Sequence, residues 1–142
     1  PREVWGEAGG QPFGIGNWGD LEHPTALSQL AKEVKEKFEL PYVLVYGEES
    51  AERKMYRAAV CPGSGGSEIE AAIQAGAEVF ITGDISHHQG IDAAARGMAV
   101  IDAGHYGLEH IFVEFMGEWL KKRLGSKIQV IQAGPQWPAR VY

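Results

Sequence analysis

His105 and Glu109 stand four residues apart at the start of a stretch with helical periodicity, so both side chains project from one face. An imidazole and a carboxylate so placed can hold one metal ion or span two. Neutral nitrogen with one or two oxygens suits zinc, iron or manganese. Asp102, three residues earlier on the preceding turn, can bind metal, orient the histidine or cap the helix. The plainer alternative is a surface pair contributing roughly 0.2–0.5 kcal/mol.

A second group follows the run Glu78–Ile81: Thr82-Gly83-Asp84-Ile85-Ser86-His87-His88. Vicinal histidines on a helix point about a quarter-turn apart, so one can reach a site while the other points elsewhere. Histidine titrates near neutrality, which suits ligation or proton transfer. The alternative has Asp84 as a helix N-cap and both histidines solvated. A third turn, Cys61-Pro62-Gly63-Ser64-Gly65-Gly66-Ser67, opens a helix near Ser67. Its amides, those of Gly65 and Gly66 above all, offer an anion cradle, or the glycines only loosen a strand-to-helix turn. No Gly-Lys-Ser/Thr follows, which excludes a P-loop, and the spacing fails the dinucleotide fingerprint. Cys61 stands where a nucleophile would sit, but no base is paired with it in sequence, and small buried residue is its commoner role.

These turns need strands to present them. Tyr56–Val60, Glu78–Ile81 and Met98–Ile101 read as strands, each followed by a helix: Ser67–Ala75, His87–Arg96 and a long one from His105 to Leu124. The last carries the apolar stripe Leu108, Ile111, Phe112, Phe115, Trp119 and Leu120. Lys121, Lys122 and Arg123 suit its C-terminal end and Gly125 stops it. Upstream, a helix opening at Thr25 or His23-Pro24 places Leu27, Leu30, Ala31, Val34 and Phe38 on one face, and Pro41 ends it. Tyr42–Tyr46 and Ile128–Ile131 read as further strands, with Pro135 and Pro138 keeping the tail irregular. Residues 1–23 form a Gly/Trp-rich segment of tight turns or linker, with Phe13, Ile15 and Trp18 as anchors. Trp5, Trp119 and Trp137 read as packing residues, and Trp18 as the tryptophan best placed to touch a ligand. Alternating strands and helices predict a single α/β domain over 1–142, a layered sandwich with a central, mostly parallel sheet flanked by helices. In such folds ligands bind beyond the carboxyl ends of the strands, so all three turns should share one rim.

The 142 residues suffice for one core. The net charge of −6 argues against a general nucleic-acid binder and against attraction to anionic lipid. One cysteine excludes an internal disulfide and a zinc ribbon, and points to the cytoplasm. No apolar run approaches the ~20 residues of a membrane span, and the chain starts at Pro1 without a signal peptide.

With those residues in view, the chain resembles the C-terminal half of the NIF-three-like family, also labelled dinuclear metal-centre proteins or GTP cyclohydrolase I type 2 homologues. The resemblance rests on Phe13-Gly14-Ile15-Gly16 with Gly19-Asp20-Leu21, on Gly63–Ser67, on Thr82–Ile85 with His87-His88, and on Asp102–Tyr106 with Glu109. It implies a longer protein of two similar α/β halves enclosing two divalent metals, and commonly a toroidal homo-hexamer. His105 and Glu109 map onto the metal ligands of this half, and Asp84, His87 and His88 onto the same cleft. The family's other His-His pair and Asp ligand belong to a half missing here, so this chain would contribute half of a dinuclear site. The implied activity is metal-dependent hydrolysis of a small, nucleotide-like substrate, with His87 or His88 relaying protons and Gly65 and Gly66 holding phosphate. A regulatory or scaffold protein with a structural metal is the alternative.

Overall fold

The computed structural model describes residues 4–8, 10–47, 52–134 and 136–137; of residues 4–8 and 11–13 it describes the backbone alone. Among the described residues seven strands and five α-helices follow in order: β1 (Val4–Ala8), β2 (Gln11–Gly14), β3 (Asn17–Ala26), α1 (Leu27–Lys37), β4 (Leu44–Tyr46), β5 (Lys54–Ser64), α2 (Ile69–Gln74), β6 (Val79–Gly83), α3 (His87–Ala95), β7 (Ala99–Asp102), α4 (His105–Glu109) and α5 (Ile111–Leu124). The main sheet has the order β3-β5-β6-β7-β4. Its three central strands are parallel, and β3 and β4 close the edges antiparallel. β1 and β2 form a separate antiparallel hairpin.

Strand periodicity divides the core in two. Val79, Ala99 and Ile101 face one way, onto Leu27, Leu30, Ala31 and Val34 of α1 and Leu108 of α4. Phe80 and Val100 face the other way, onto Ile69 and Ala72 of α2 and Ala93 of α3. The result is the expected helix–sheet–helix sandwich. Among the described residues no helix is long and apolar enough to cross a membrane.

Several expectations change in detail. Residues 17–26 are neither turn nor linker but an edge strand on β5, with a register irregularity between Asp20 and Thr25. Pro24 lies inside that irregularity, where a residue lacking an N–H costs the ladder nothing. Helix α1 accordingly starts at Leu27 rather than at Thr25 or Pro24. The strand expected at 42–46 is only Leu44–Tyr46, an edge with Leu44 half exposed. β5 runs on to Ser64, so most of the first glycine turn is strand.

The long helix is broken at His110. The His110 ring Nδ1 lies 3.0 Å from the Gly107 carbonyl and 3.3 Å from that of Tyr106, which it satisfies as a donor. The chain restarts with the tighter step from Val113 N–H to the His110 carbonyl. Ile128–Ile131 is not a strand: Ile131 is 81% exposed. The segment turns back along α5 instead, where Gln132 donates to the Glu114 carbonyl and seats against Gly117, whose missing side chain makes the room. The Trp5 and Phe13 side chains, Pro135 and Pro138 lie outside the described residues.

Candidate metal centre

The parallel strands β5, β6 and β7 end side by side, and their loops meet as the α/β rule requires. Backbone touches backbone there. A Cβ on Gly83 would collide with the Gly104 carbonyl, so glycine is what lets the β6 and β7 loops close together. Asp102, 7% exposed, accepts three amides: Asp84 N–H at 3.1 Å, Ile85 N–H at 2.9 Å and Gly104 N–H at 2.8 Å. None of the three sequence readings of Asp102 included this: its carboxylate pins two loops, with both oxygens engaged.

Pinned this way, Asp84 takes a left-handed backbone, φ 53°, a region Asp tolerates better than most residues. Its Oδ1 accepts the His105 N–H at 3.3 Å and its Oδ2 lies 3.4 Å from His105 Nδ1. On the other ring edge, His105 Nε2 is 3.1 Å from Glu109 Oε2. The four-residue spacing thus brings both side chains of α4 together as expected. Asp84, His105 and Glu109 are each about half exposed. Gly63 of β5, at φ 75°, passes beneath them. A Cβ on it would stand 2.8 Å from Glu109 Oε1 and 3.4 Å from His105 Nε2, so the glycine keeps a hollow open beside both.

Asp84 is not the N-cap of α3. Ser86 is: its hydroxyl accepts Gln89 N–H at 3.3 Å, and the Gln89 side chain takes Ser86 N–H at 3.0 Å. The Ser-x-x-Gln pattern of a capping box was the missed signal. His87 and His88 occupy the first turn of α3, exposed, with ring centroids 5.7 Å apart edge to face. Among the described residues neither is hydrogen-bonded or ion-paired with the Asp84–His105–Glu109 cluster.

Gly65 and Gly66 have a packing reason to be glycine. A Cβ on Gly65 would collide with the Thr82 hydroxyl and approach Phe80, and one on Gly66 would meet the Gln89 amide. The turn leads through Gly66–Glu68 into the six-residue α2, with Glu68 and Glu70 at its start. Cys61 is 2% exposed. Burial, and then the Glu68 charge, push its thiol pKa above the ordinary value, opposite to what a nucleophile needs.

Among the described residues, two cavities lie away from the cluster. One of about 300 Å³ sits between β3, β5 and α2 and is lined by Ile15, Trp18, Cys61, Glu68, Ala72 and Phe80. Trp18 is half exposed there, under the Arg57 guanidinium, 4.9 Å from its ring centre. The other, about 920 Å³, lies between α1, the α4–α5 break and the tail, beside Tyr106 and His110.

The donor types present are ones a divalent cation takes. A histidine nitrogen and a glutamate oxygen share one helix face, over a hollow that a Cβ would fill. Two donors make only part of a coordination shell. Among the described residues no group of three or more His, Cys, Asp or Glu is gathered as a metal would require.

Comparison with known proteins identifies the family. The family model described as Duf34/NIF3 (NGG1p interacting factor 3) matches residues 7–135. The chain belongs to the DUF34/NIF3 family. It is 36% identical over 128 residues to a "GTP cyclohydrolase 1 type 2 homolog" of Streptococcus pneumoniae, covering 86% of this chain and 47% of that protein. The crystal structure of Staphylococcus aureus protein SA1388 superposes with a TM-score of 0.80 at 31% identity, over 93% of this chain and 44% of that one. A Bacillus cereus protein related to NIF3 gives 0.75 at 29% identity, over 82% and 31%. The chain therefore spans less than half the length of these DUF34/NIF3 relatives.

Proposed function

We propose that this chain supplies one half of a divalent-metal centre in a metal-dependent hydrolase. The observation that carries the reading is the His105 ring held between two carboxylates, with Nε2 and Glu109 facing the hollow above Gly63. His105 and Glu109 would hold the ion, and the nitrogen–oxygen set suits zinc, iron or manganese. A divalent ion bound there supplies Lewis acidity, which polarises a substrate and acidifies water. Glu109 aligns one edge of the imidazole and Asp84 the other. His87 and His88, exposed in the first turn of α3, would exchange protons with a substrate or contact it. The relatives' name, GTP cyclohydrolase 1 type 2 homolog, supports a nucleotide-like substrate, attacked at an electrophilic carbon or at phosphorus. The open, half-exposed donors suit a site completed by further chain or by further copies in a homo-oligomer.

A scaffold role with a structural metal is the second reading. It is favoured by the outward stripe Ile111, Phe112, Phe115 and Trp119, each between 43% and 66% exposed, since such patches mark interaction surfaces. One experiment separates the two. His105→Ala with Glu109→Ala is compared with the parent for zinc, manganese and iron(II) binding, for nucleotide turnover and for assembly mass. Loss of metal and turnover with unchanged assembly supports the hydrolase. Metal-dependent assembly without turnover supports the scaffold. Unchanged metal binding by the double variant would remove both.

A further inference from the structure

We infer that Asp84 is the positioning residue for His105, and that buried Asp102 sets Asp84 in place. The inference rests on the metal reading and adds to it the device that aims the ligand. Asp102 takes the amides of Asp84 and Ile85 on one loop and of Gly104 on the other. That arrangement accompanies the left-handed turn at Asp84, φ 53°. The Asp84 carboxylate then accepts the His105 backbone N–H and lies 3.4 Å from ring Nδ1. A carboxylate only accepts, so it favours hydrogen on the ring nitrogen that faces it, and Glu109 faces Nε2 as Asp84 faces Nδ1. An ion shared by Nε2 and Glu109 over Gly63 would take the Nε2 lone pair and leave the ring hydrogen on Nδ1, toward Asp84. Asp84 is 56% exposed, so its pairing contributes little to stability. Its effect is on ring orientation and tautomer, as for carboxylates behind metal-binding histidines.

The test uses the chain labelled with ¹⁵N, zinc ion as the probe, and Asp84→Asn. Asparagine tolerates a left-handed backbone as well as aspartate does, so the turn survives. Its amide N–H₂ facing Nδ1 favours the opposite tautomer, with hydrogen on Nε2. Long-range ¹H–¹⁵N spectra at neutral pH should show zinc shifting His105 Nε2 in the parent, with Nδ1 protonated. In Asp84→Asn the melting temperature should hold while zinc affinity falls at least about tenfold; a loss under about twofold with Nδ1 still protonated overturns the inference and leaves the metal reading intact. Zinc that moves neither His105 nor Glu109 resonances in the parent overturns both. As a second arm, Asp102→Asn removes one acceptor from the three-amide clasp. It should lower zinc affinity and stability together, whereas Asp84→Asn lowers affinity alone. Undiminished zinc affinity in Asp102→Asn would remove Asp102 from the device.

Discussion

Gly63→Ala probes the hollow under the cluster, and its effect divides into two measurable parts. The first is backbone strain. Gly63 sits at φ 75°, and an L-residue held in the left-handed region costs about 1–2 kcal/mol. For a chain of this size that lowers the melting temperature by about 3–8 °C. The second is contact. The new Cβ would stand 2.8 Å from Glu109 Oε1, which must move away. Glu109 is half exposed and its carboxylate ends a flexible side chain, so moving it adds little to the stability loss. Displacing a ligand oxygen should instead cost metal affinity, on the order of tenfold, as perturbed ligand orientation does elsewhere. Gly97→Ala is the control: φ is 86°, and nothing lies within 4 Å of the added atom. It should lose comparable stability and no zinc affinity. Thermal melts and zinc calorimetry on the two variants separate strain from displacement. If Gly63→Ala binds zinc as tightly as Gly97→Ala does, Glu109 does not approach a metal across that hollow, and the reasoning about the site fails.

Other outcomes follow from groups outside the cluster. Burial pulls the Glu78 carboxyl upward, but the amides of Tyr56 and Arg57 and the Arg53 guanidinium outweigh it and leave the pKa below its ordinary value. Its stabilisation is thus complete above the unfolded value and is lost as pH falls through the folded one. Glu78→Gln should cost about 1.5–3 kcal/mol at neutral pH. The gap should close below about pH 4, and a gap in urea melts that persists under acid conditions would contradict this. Cys61, buried with its thiol pushed up, should resist iodoacetamide at mildly alkaline pH until urea unfolds the chain, and rapid labelling of the native form would count against its burial. Leu108→Ala should cost about 2–5 kcal/mol because Leu108 is 2% exposed. Phe115→Glu, at 66% exposure, should stay within about 0.5 kcal/mol. A large loss for Phe115→Glu, or a change in assembly mass, would show that the outer face of α5 is covered in solution.

What could be read from the residues was what local pattern controls. Leu27, Leu30, Ala31 and Val34 recur at helical spacing and form one face of the core. The three strand–turn–helix units emerged because each apolar run ends at glycine or at a cap. The His105–Glu109 pairing followed from helix geometry alone, and the structure places the two side chains in contact. Contacts distant in sequence stayed hidden. Asn17–Ala26 becomes a strand because β5 offers an edge some forty residues later. Ile128–Ile131 has strand composition, but it follows α5 and leaves the sheet alone. His105–Leu124 looked like one amphipathic helix, yet His110 breaks it and leaves Phe115 and Trp119 facing outward. Asp102 has three roles open to it in sequence and a fourth in space, since nothing local foretells that its carboxylate will take an amide eighteen residues back.

That last contact explains how a half-exposed cluster can be a site at all. Charge pairs open to water are individually weak, so the Asp84–His105 and His105–Glu109 contacts cannot by themselves fix a geometry. The order lies a layer below. A buried carboxylate holds three amides, Gly83 packs against the Gly104 backbone, and Gly63 keeps the hollow clear. Backbone held by a core and by buried hydrogen bonds positions side chains that are themselves free to exchange partners. Binding an ion requires that combination: little reorganisation of the scaffold, and first contacts weak enough to be replaced. A bland surface patch would show the reverse, with side-chain pairs on a loop that nothing buried constrains. The pinned loops therefore argue for the metal reading more strongly than the paired charges do.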